Sequence, residues 1–179
     1  MWSANRAAPH RDNLVVRREG EVNAMATVQD VANYMIGWRA MTAMKLQKLV
    51  YYSQAWHLAE YGKPLFRETI EAWANGPVVR ELYDHHRGEY TVIRWPWGDQ
   101  HELTDKERDS IDLVLRTYGA KDPQWLSDET HSEPPWQQAR EGLPPGGRSS
   151  TPIAVGSMRD YYRARLRAGR GPEYASLRR

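Results

Sequence analysis

The hydrophobic positions fall into short periodic blocks that predict a chain of helices with one extended interlude. Val28, Val31, Tyr34, Met35 and Trp38 recur at helical spacing behind Thr27, whose hydroxyl can cap a helix, so a first helix is expected up to the Arg39 region. Thr42 can cap a second helix that runs to Tyr61, where Gly62 and then Pro64 stop it. Its apolar residues occupy two faces, Leu46/Leu49/Val50/Ser53/His57 and Met44/Tyr51/Ala55/Leu58. A helix of that kind is packed on both sides, which places it at the centre of the domain. The pattern then shortens, and Phe66, Ile70, Ala72 and Trp73 predict a turn and a brief strand punctuated by Asn75-Gly76-Pro77. Pro77 suits a first helical position, so Val78, Val79, Leu82 and Tyr83 are expected to open a third helix ending near His85-His86-Arg87-Gly88. Residues 90–97, β-branched and aromatic around Pro96, read as an extended edge segment.

Further along, Thr104 and Glu107 have the spacing of a capping box before Ile111, Val114, Leu115 and Tyr118, and Gly119 ends that helix. Asp122-Pro123 caps a short fifth helix through Trp125 and Leu126, and Pro134-Pro135 forces a turn, with His131 as a turn residue, before residues 136–140. Residues 143–152, with three Pro and two Gly, read as an exposed loop, followed by a last helix over about 156–167 and a Gly/Arg tail. The expected fold is mainly α with a small antiparallel β element built from residues 70–73 and 91–95. It forms a single compact domain around the central helix, with Trp56, Trp73 and Trp136 largely buried. Residues 1–24 show no period and read as a loosely ordered extension, with Met25 as an alternative start; residues 25–168 form the domain and 169–179 a basic tail.

Composition narrows the function classes. A chain of 179 residues is one domain's worth, and 40% apolar residues suffice for a core despite a mean hydropathy of −0.79. Apolar runs such as Leu49-Val50-Tyr51-Tyr52 fall far short of the roughly 20 residues that cross a bilayer. Residues 1–20 hold no signal-type apolar region, so no membrane partner and a cytoplasmic location are expected. The absence of cysteine excludes disulfides, thiolate nucleophiles, Cys-ligated zinc and iron–sulfur clusters. Eight Trp and ten Tyr against one Phe favour binding surfaces, since both pair a large apolar face with a polar handle. The net charge of +2 is unevenly spread: residues 1–24 carry +1, residues 159–179 carry +5, and the remainder −4. An acidic body with a basic tail argues little for nucleic-acid binding by the domain as a whole.

The most specific signal is an ordered set of motifs: Lys45-Leu46-Gln47-Lys48-Leu49-Val50-Tyr51-Tyr52, Trp56, Gly62-Lys63-Pro64-Leu65-Phe66, Ile70-Glu71-Ala72-Trp73, Gly76-Pro77-Val78-Val79 and Glu81-Leu82-Tyr83. Together these resemble the Panacea domain, the SocA-like antitoxin family also seen in phage-associated proteins. Thr130-His131-Ser132-Glu133 with Pro135-Trp136 is similar to that family's second signature. The resemblance spans roughly residues 26–167; Ala74-Asn75 before Gly76, and Arg80 where relatives often carry Pro, depart from it. It implies an antitoxin that neutralises a cognate protein toxin by direct binding, with delivery of the toxin to a AAA+ protease as the further role of SocA-like members. It implies no catalytic residue, cofactor or metal. Leu49, Tyr51, Trp56, Trp73, Gly76, Pro77, Val78, Tyr83, Pro135 and Trp136 read as the structural part of the signature.

Partner contacts are expected elsewhere. Lys45 and Lys48 share one helix stripe with Tyr52, a basic and aromatic combination suited to an acidic partner, against the alternative of an ordinary solvated stripe. Arg80 and His131 join them as candidates, as do Trp2 and Val15 in the extension, whose Leu14-Val15-Val16 run could order on a partner. The six His do not show HExxH spacing, which argues against a metal site, and Ser53 with His57 one turn later lacks the other parts of a nucleophile site. Two other classes stay open: an enzyme using the His131/Glu133 region, and a nucleic-acid binder through the C-terminal arginines.

Overall fold

The structure is a computed structural model in which residues 25–172 are described. Thr27 and Asp30 close a reciprocal capping box that starts α1 (Val28–Trp38). β1 (Met41–Thr42) leads into α2 (Ala43–Tyr61), capped by Thr42 Oγ1 accepting from Lys45 N and ended at Gly62, whose φ of +71° only glycine adopts readily. β2 (Ile70–Trp73), β3 (Gly76–Val79), α3 (Arg80–His86) and β4 (Thr91–Val92) follow. After a short 3-10 turn come α4 (Asp105–Tyr118), α5 (Pro123–Ser132), α6 (Pro134–Ala139) and α7 (Val155–Arg167). The Thr104/Glu107 capping box and the Asp122 cap form as their spacing predicts.

α2 is the axis. Fifteen of its 19 residues are buried, as for a helix surrounded on all sides. α7, α4, α5, α1 and strand β3 all pack against it, and Leu46, Leu49, Val50 and Trp56 lie wholly inside the core. The mainly helical, single-domain architecture around this helix is the expected one. No helix among the described residues is long and apolar enough to cross a membrane.

Three local expectations are corrected. Residues 76–79 form a strand rather than the start of a helix: Ile70 pairs with Val79 and Trp73 with Gly76 across a tight Ala74-Asn75 turn, and α3 begins at Arg80. Pro77 is tolerated there because β3 is an edge strand, and β-branched Val78 and Val79 favour the pleated form. The second extended segment does not join this hairpin. Thr91–Val92 pairs instead with Met41–Thr42, while the free edge of β2 is taken by residues 151–153 through Ala72 N to Thr151 O (2.9 Å) and Ile153 N to Ile70 O (2.8 Å). Finally, α5 continues through Thr130 and His131 to Ser132, so His131 lies in a last helical turn. The break falls at Glu133, whose extended backbone (φ −94°, ψ 134°) is what a following proline imposes. Trp56 is buried as expected, whereas Trp73 and Trp136 are only partly so.

Because Leu49 is enclosed on the axis helix, Leu49→Ala is expected to cost ~2–5 kcal/mol of unfolding free energy in a urea titration. An unchanged midpoint would remove α2 from the centre of the core.

Candidate functional site

The β2–β3 hairpin inserts between α2, α5 and α6, and apart from the edge pairing with residues 151–153 five of its backbone carbonyls meet side chains. From α2, Gln47 acts as a surrogate strand, accepting from Val79 N (2.8 Å) and donating to Val79 O (3.1 Å). One residue on, Lys48 Nζ donates to Pro77 O at 3.1 Å. Ser127 of α5 donates to Asn75 O (3.1 Å), and Trp136 Nε1 of α6 to Trp73 O (3.0 Å). Arg140, just beyond α6, reaches Ala72 O (2.9 Å) and Gly147 O (2.8 Å) and lies over the Trp136 ring. Five hairpin carbonyls are thus satisfied by five side chains, as buried backbone polar groups require.

Gly76 makes this close fit possible. Its φ is +99°, and a Cβ there would lie 2.7 Å from Lys48 Cε and 2.9 Å from Thr130 Oγ1. Lys48 is buried, and desolvation of its ammonium lowers its pKa from 10.5 to about 7. His131 stacks on Trp136 with centroids 4.2 Å apart, its pKa lowered by burial and then by the nearby Lys48.

Glu133 anchors the other end of the α5–α6 junction. It is buried, accepts from Tyr162 in a short bond, from Arg165 Nη1 (3.1 Å) and more weakly from Tyr52 (3.4 Å). Burial pushes its pKa up to about 7, with the Tyr162 bond and Arg165 pulling the other way. Ser53 and His57 do not form a pair; His57 Nδ1 engages Ser110 Oγ at 2.8 Å, and burial lowers its pKa to about 4. The buried hydroxyls of Tyr51 and Ser53 have no hydrogen-bond partner among the described residues.

The hairpin's outer face is open. Glu71 receives Arg80 through Nε (3.0 Å) and Nη2 (2.8 Å) and also accepts from Trp73 Nε1 (2.6 Å). The Arg80 guanidinium lies over the Trp73 ring, and Tyr83 meets that ring edge-on at 4.8 Å. A groove of about 650 Å³ runs from this cluster to Arg87 and to Arg148 and Ser149 of the 143–152 segment.

A family model described as "Antitoxin SocA-like, Panacea domain" matches residues 46–137, just over half of the chain. The chain belongs to this family. No curated protein and no solved structure matches it. The matched span of this SocA-like Panacea domain runs from α2 to α6 and contains the hairpin with every side chain described above as capping its carbonyls except that of Arg140.

The expected site residues separate accordingly. Leu49, Tyr51, Trp56, Gly76, Pro77, Val78 and Pro135 are buried, and Trp73, Tyr83 and Trp136 partly so. Lys48 and Tyr52 do not form a solvated stripe with Lys45: both are inside the protein, bonded to Pro77 and Glu133, while Lys45 is half-exposed. The reason is that α2 has no solvent face at that level, so helical spacing alone misassigns the outside. Arg80 is on the surface, His131 half-buried, and Trp2 and Val15 lie outside the described residues. Gln47, Ser127 and Arg140 were missed as framework residues. A glutamine inside an apolar run was the one available hint; nothing in the local pattern marks Arg140. The described residues include no group of three or more His, Asp or Glu placed to hold a metal ion.

Lys48 makes stability pH-dependent with a definite sign. The unfolded chain holds this proton to about pH 10.5 and the folded one only to about 7, so between those values the unfolded state binds more protons and stability rises with pH. The expected slope for the wild type between pH 7 and 9 is up to about 1.4 kcal/mol per pH unit. Lys48→Met should flatten it; parallel profiles for the two proteins in urea unfolding would show that the amine is not desolvated.

Proposed function

We propose that this protein neutralises a toxin by direct protein–protein binding in the cytoplasm, its buried signature serving to hold the scaffold and its outward surface meeting the toxin. The observation that supports this reading is that the matched span coincides with the framework around the hairpin, where side chains are spent on one another. Such residues build a shared scaffold, and selectivity must then come from exposed positions. Against the catalytic alternative stands the placement of Glu133, enclosed by Tyr52, Tyr162 and Arg165 and away from solvent. Its carboxylate cannot reach a substrate without unpacking α7. Against nucleic acid stands the acidic body, with −4 over residues 25–158. Membership in the SocA-like family extends the proposal to delivery of the toxin to a AAA+ protease, a route that would deplete toxin protein rather than hold it in a complex.

Co-expression with the product of the neighbouring gene tests the reading. Growth should resume, and the two proteins should co-purify in a stoichiometric complex; continued arrest with no complex in a pull-down would overturn it.

Residues 1–24 are the second element of the proposal. Their mixed charges around Trp2 and Val15 suit contacts that order on binding. A protein starting at Met25 should keep its thermal midpoint but bind the toxin more weakly by calorimetry, and equal affinity would remove the extension from the mechanism.

A further inference from the structure

The groove beside the hairpin unites features that no buried signature residue needs. Its wall is rigid: Trp73 is fixed through its indole N–H to Glu71, through its carbonyl to Trp136, by the Arg80 guanidinium over its ring and by the Tyr83 ring edge-on to it. Glu71 is fully engaged by Trp73 and Arg80, and this leaves Arg80 Nη1 without a hydrogen-bond partner among the described residues. Across the groove, Arg87 and Arg148 are exposed and make no ion pair among the described residues. Ser149 adds a hydroxyl on the same rim. Three guanidinium groups around an aromatic floor form an anion-seeking surface, since the planar forks of Arg87 and Arg148 can each hold a carboxylate in bidentate fashion while Arg80, engaged by Glu71, offers Nη1.

We propose that this groove is a docking site for an acidic segment of a partner protein, whose carboxylates pair with Arg87 and Arg148 while an apolar side chain rests on Trp73 and Tyr83. The inference rests on the antitoxin reading for the identity of the partner and on the groove's own chemistry for the kind of segment it takes. A short acidic stretch is favoured over a polynucleotide by charge. Residues 25–158 carry −4 in total, so a long polyanion that left the groove would be repelled, whereas a short segment occupies only the basic part. Trp73 and Tyr83 are also the type of residue that anchors protein interfaces, presenting large faces at low conformational cost. The acidic-partner preference first expected of the Lys45/Lys48 stripe is thereby moved to surface arginines free to express it.

The test uses the full chain and a fluorescein-labelled oligo-glutamate peptide ending in tryptophan, with oligo-lysine and an oligothymidylate of equal length as comparison probes. Arg87→Glu/Arg148→Glu is compared with Arg167→Glu/Arg170→Glu, a charge-matched pair on exposed positions at and just beyond the C-terminal end of α7, and circular dichroism checks that both variants are folded. The groove variant should bind the acidic peptide about tenfold more weakly and the control variant within about twofold of wild type, with no binding of oligo-lysine. Equal loss in both variants, or undiminished binding by the groove variant, overturns the site. Oligothymidylate bound at least as tightly as the peptide overturns the protein partner in favour of nucleic acid. The same groove variant is then co-expressed with the neighbouring gene product. Rescue by wild type but not by the variant ties the groove to neutralisation, whereas rescue by both overturns the groove and leaves the antitoxin reading standing. If wild type fails to rescue, the antitoxin reading falls, and the peptide measurement still decides the groove.

Discussion

The fold turns on the requirement that a short hairpin, pushed among helices, have five of its backbone carbonyls satisfied by side chains, with Ile70 O met by the 151–153 segment. A two-stranded sheet is marginal alone in water, and each orphaned buried carbonyl would cost about 1–3 kcal/mol. Here the donors come from three helices: Gln47 and Lys48 from the axis helix, Ser127 from the fifth, Trp136 from the sixth, and Arg140 just beyond. These bonds tie the hairpin to the axis helix twice, to the fifth and sixth helices and to the residue after the sixth, so the same five contacts that satisfy the strand also set the relative positions of the helices. The hairpin behaves as a keystone, and at Gly76 an added Cβ would run into the Lys48 side chain of the axis helix.

Burial drives two ionisable groups of the interior, Lys48 and Glu133, toward neutrality near neutral pH. Lys48 has a single carbonyl for its amine and no carboxylate partner, so desolvation dominates and its pKa falls to about 7. Glu133 has three donors, yet burial still lifts it to about 7. The consequences for stability oppose one another. A carboxyl whose folded pKa is raised loses stability as pH climbs from 4.5 to about 7, and a lysine whose folded pKa is depressed gains it above about 7. The interior therefore tolerates polar residues by hydrogen bonding and a lowered tendency to charge, which is less costly than burying full charges.

What could be read from the sequence follows the range over which each signal acts. Caps are local, so Thr27, the Thr104/Glu107 box, Asp122 and the Thr42-to-Gly62 limits of the axis helix are legible in the sequence, while the Asp30 half of the first box comes from the structure. The Gly76-Pro77 step was ambiguous because proline suits both a first helical turn and an edge strand. Pairing with residues 70–73, a tertiary fact, decided it. Helical spacing places Lys45, Lys48 and Tyr52 on one stripe correctly but cannot tell that at Lys48 and Tyr52 the stripe faces β3, α5 and α7 rather than water. Arg140 could not be found at all, because the carbonyl it serves is 68 residues away in the chain.

The same geometry separates what must stay from what is free to change. Replacing Lys48 or Gln47 removes a donor from a carbonyl that no water can reach, so those positions are tied to folding whatever the protein binds. Arg87 and Arg148 hold nothing in place within the described fold, and changing them costs the scaffold little. Arg80 stands between the two classes: it is half-exposed, yet it fixes Glu71 and covers Trp73, so it supports the wall of the groove as well as contributing charge to it. A scaffold that is rigid at the hairpin and permissive just outside it can acquire new partners by altering the exposed arginines and the 143–152 segment. The aromatic floor, held by Trp136 and Glu71 from behind, would remain in position through such changes.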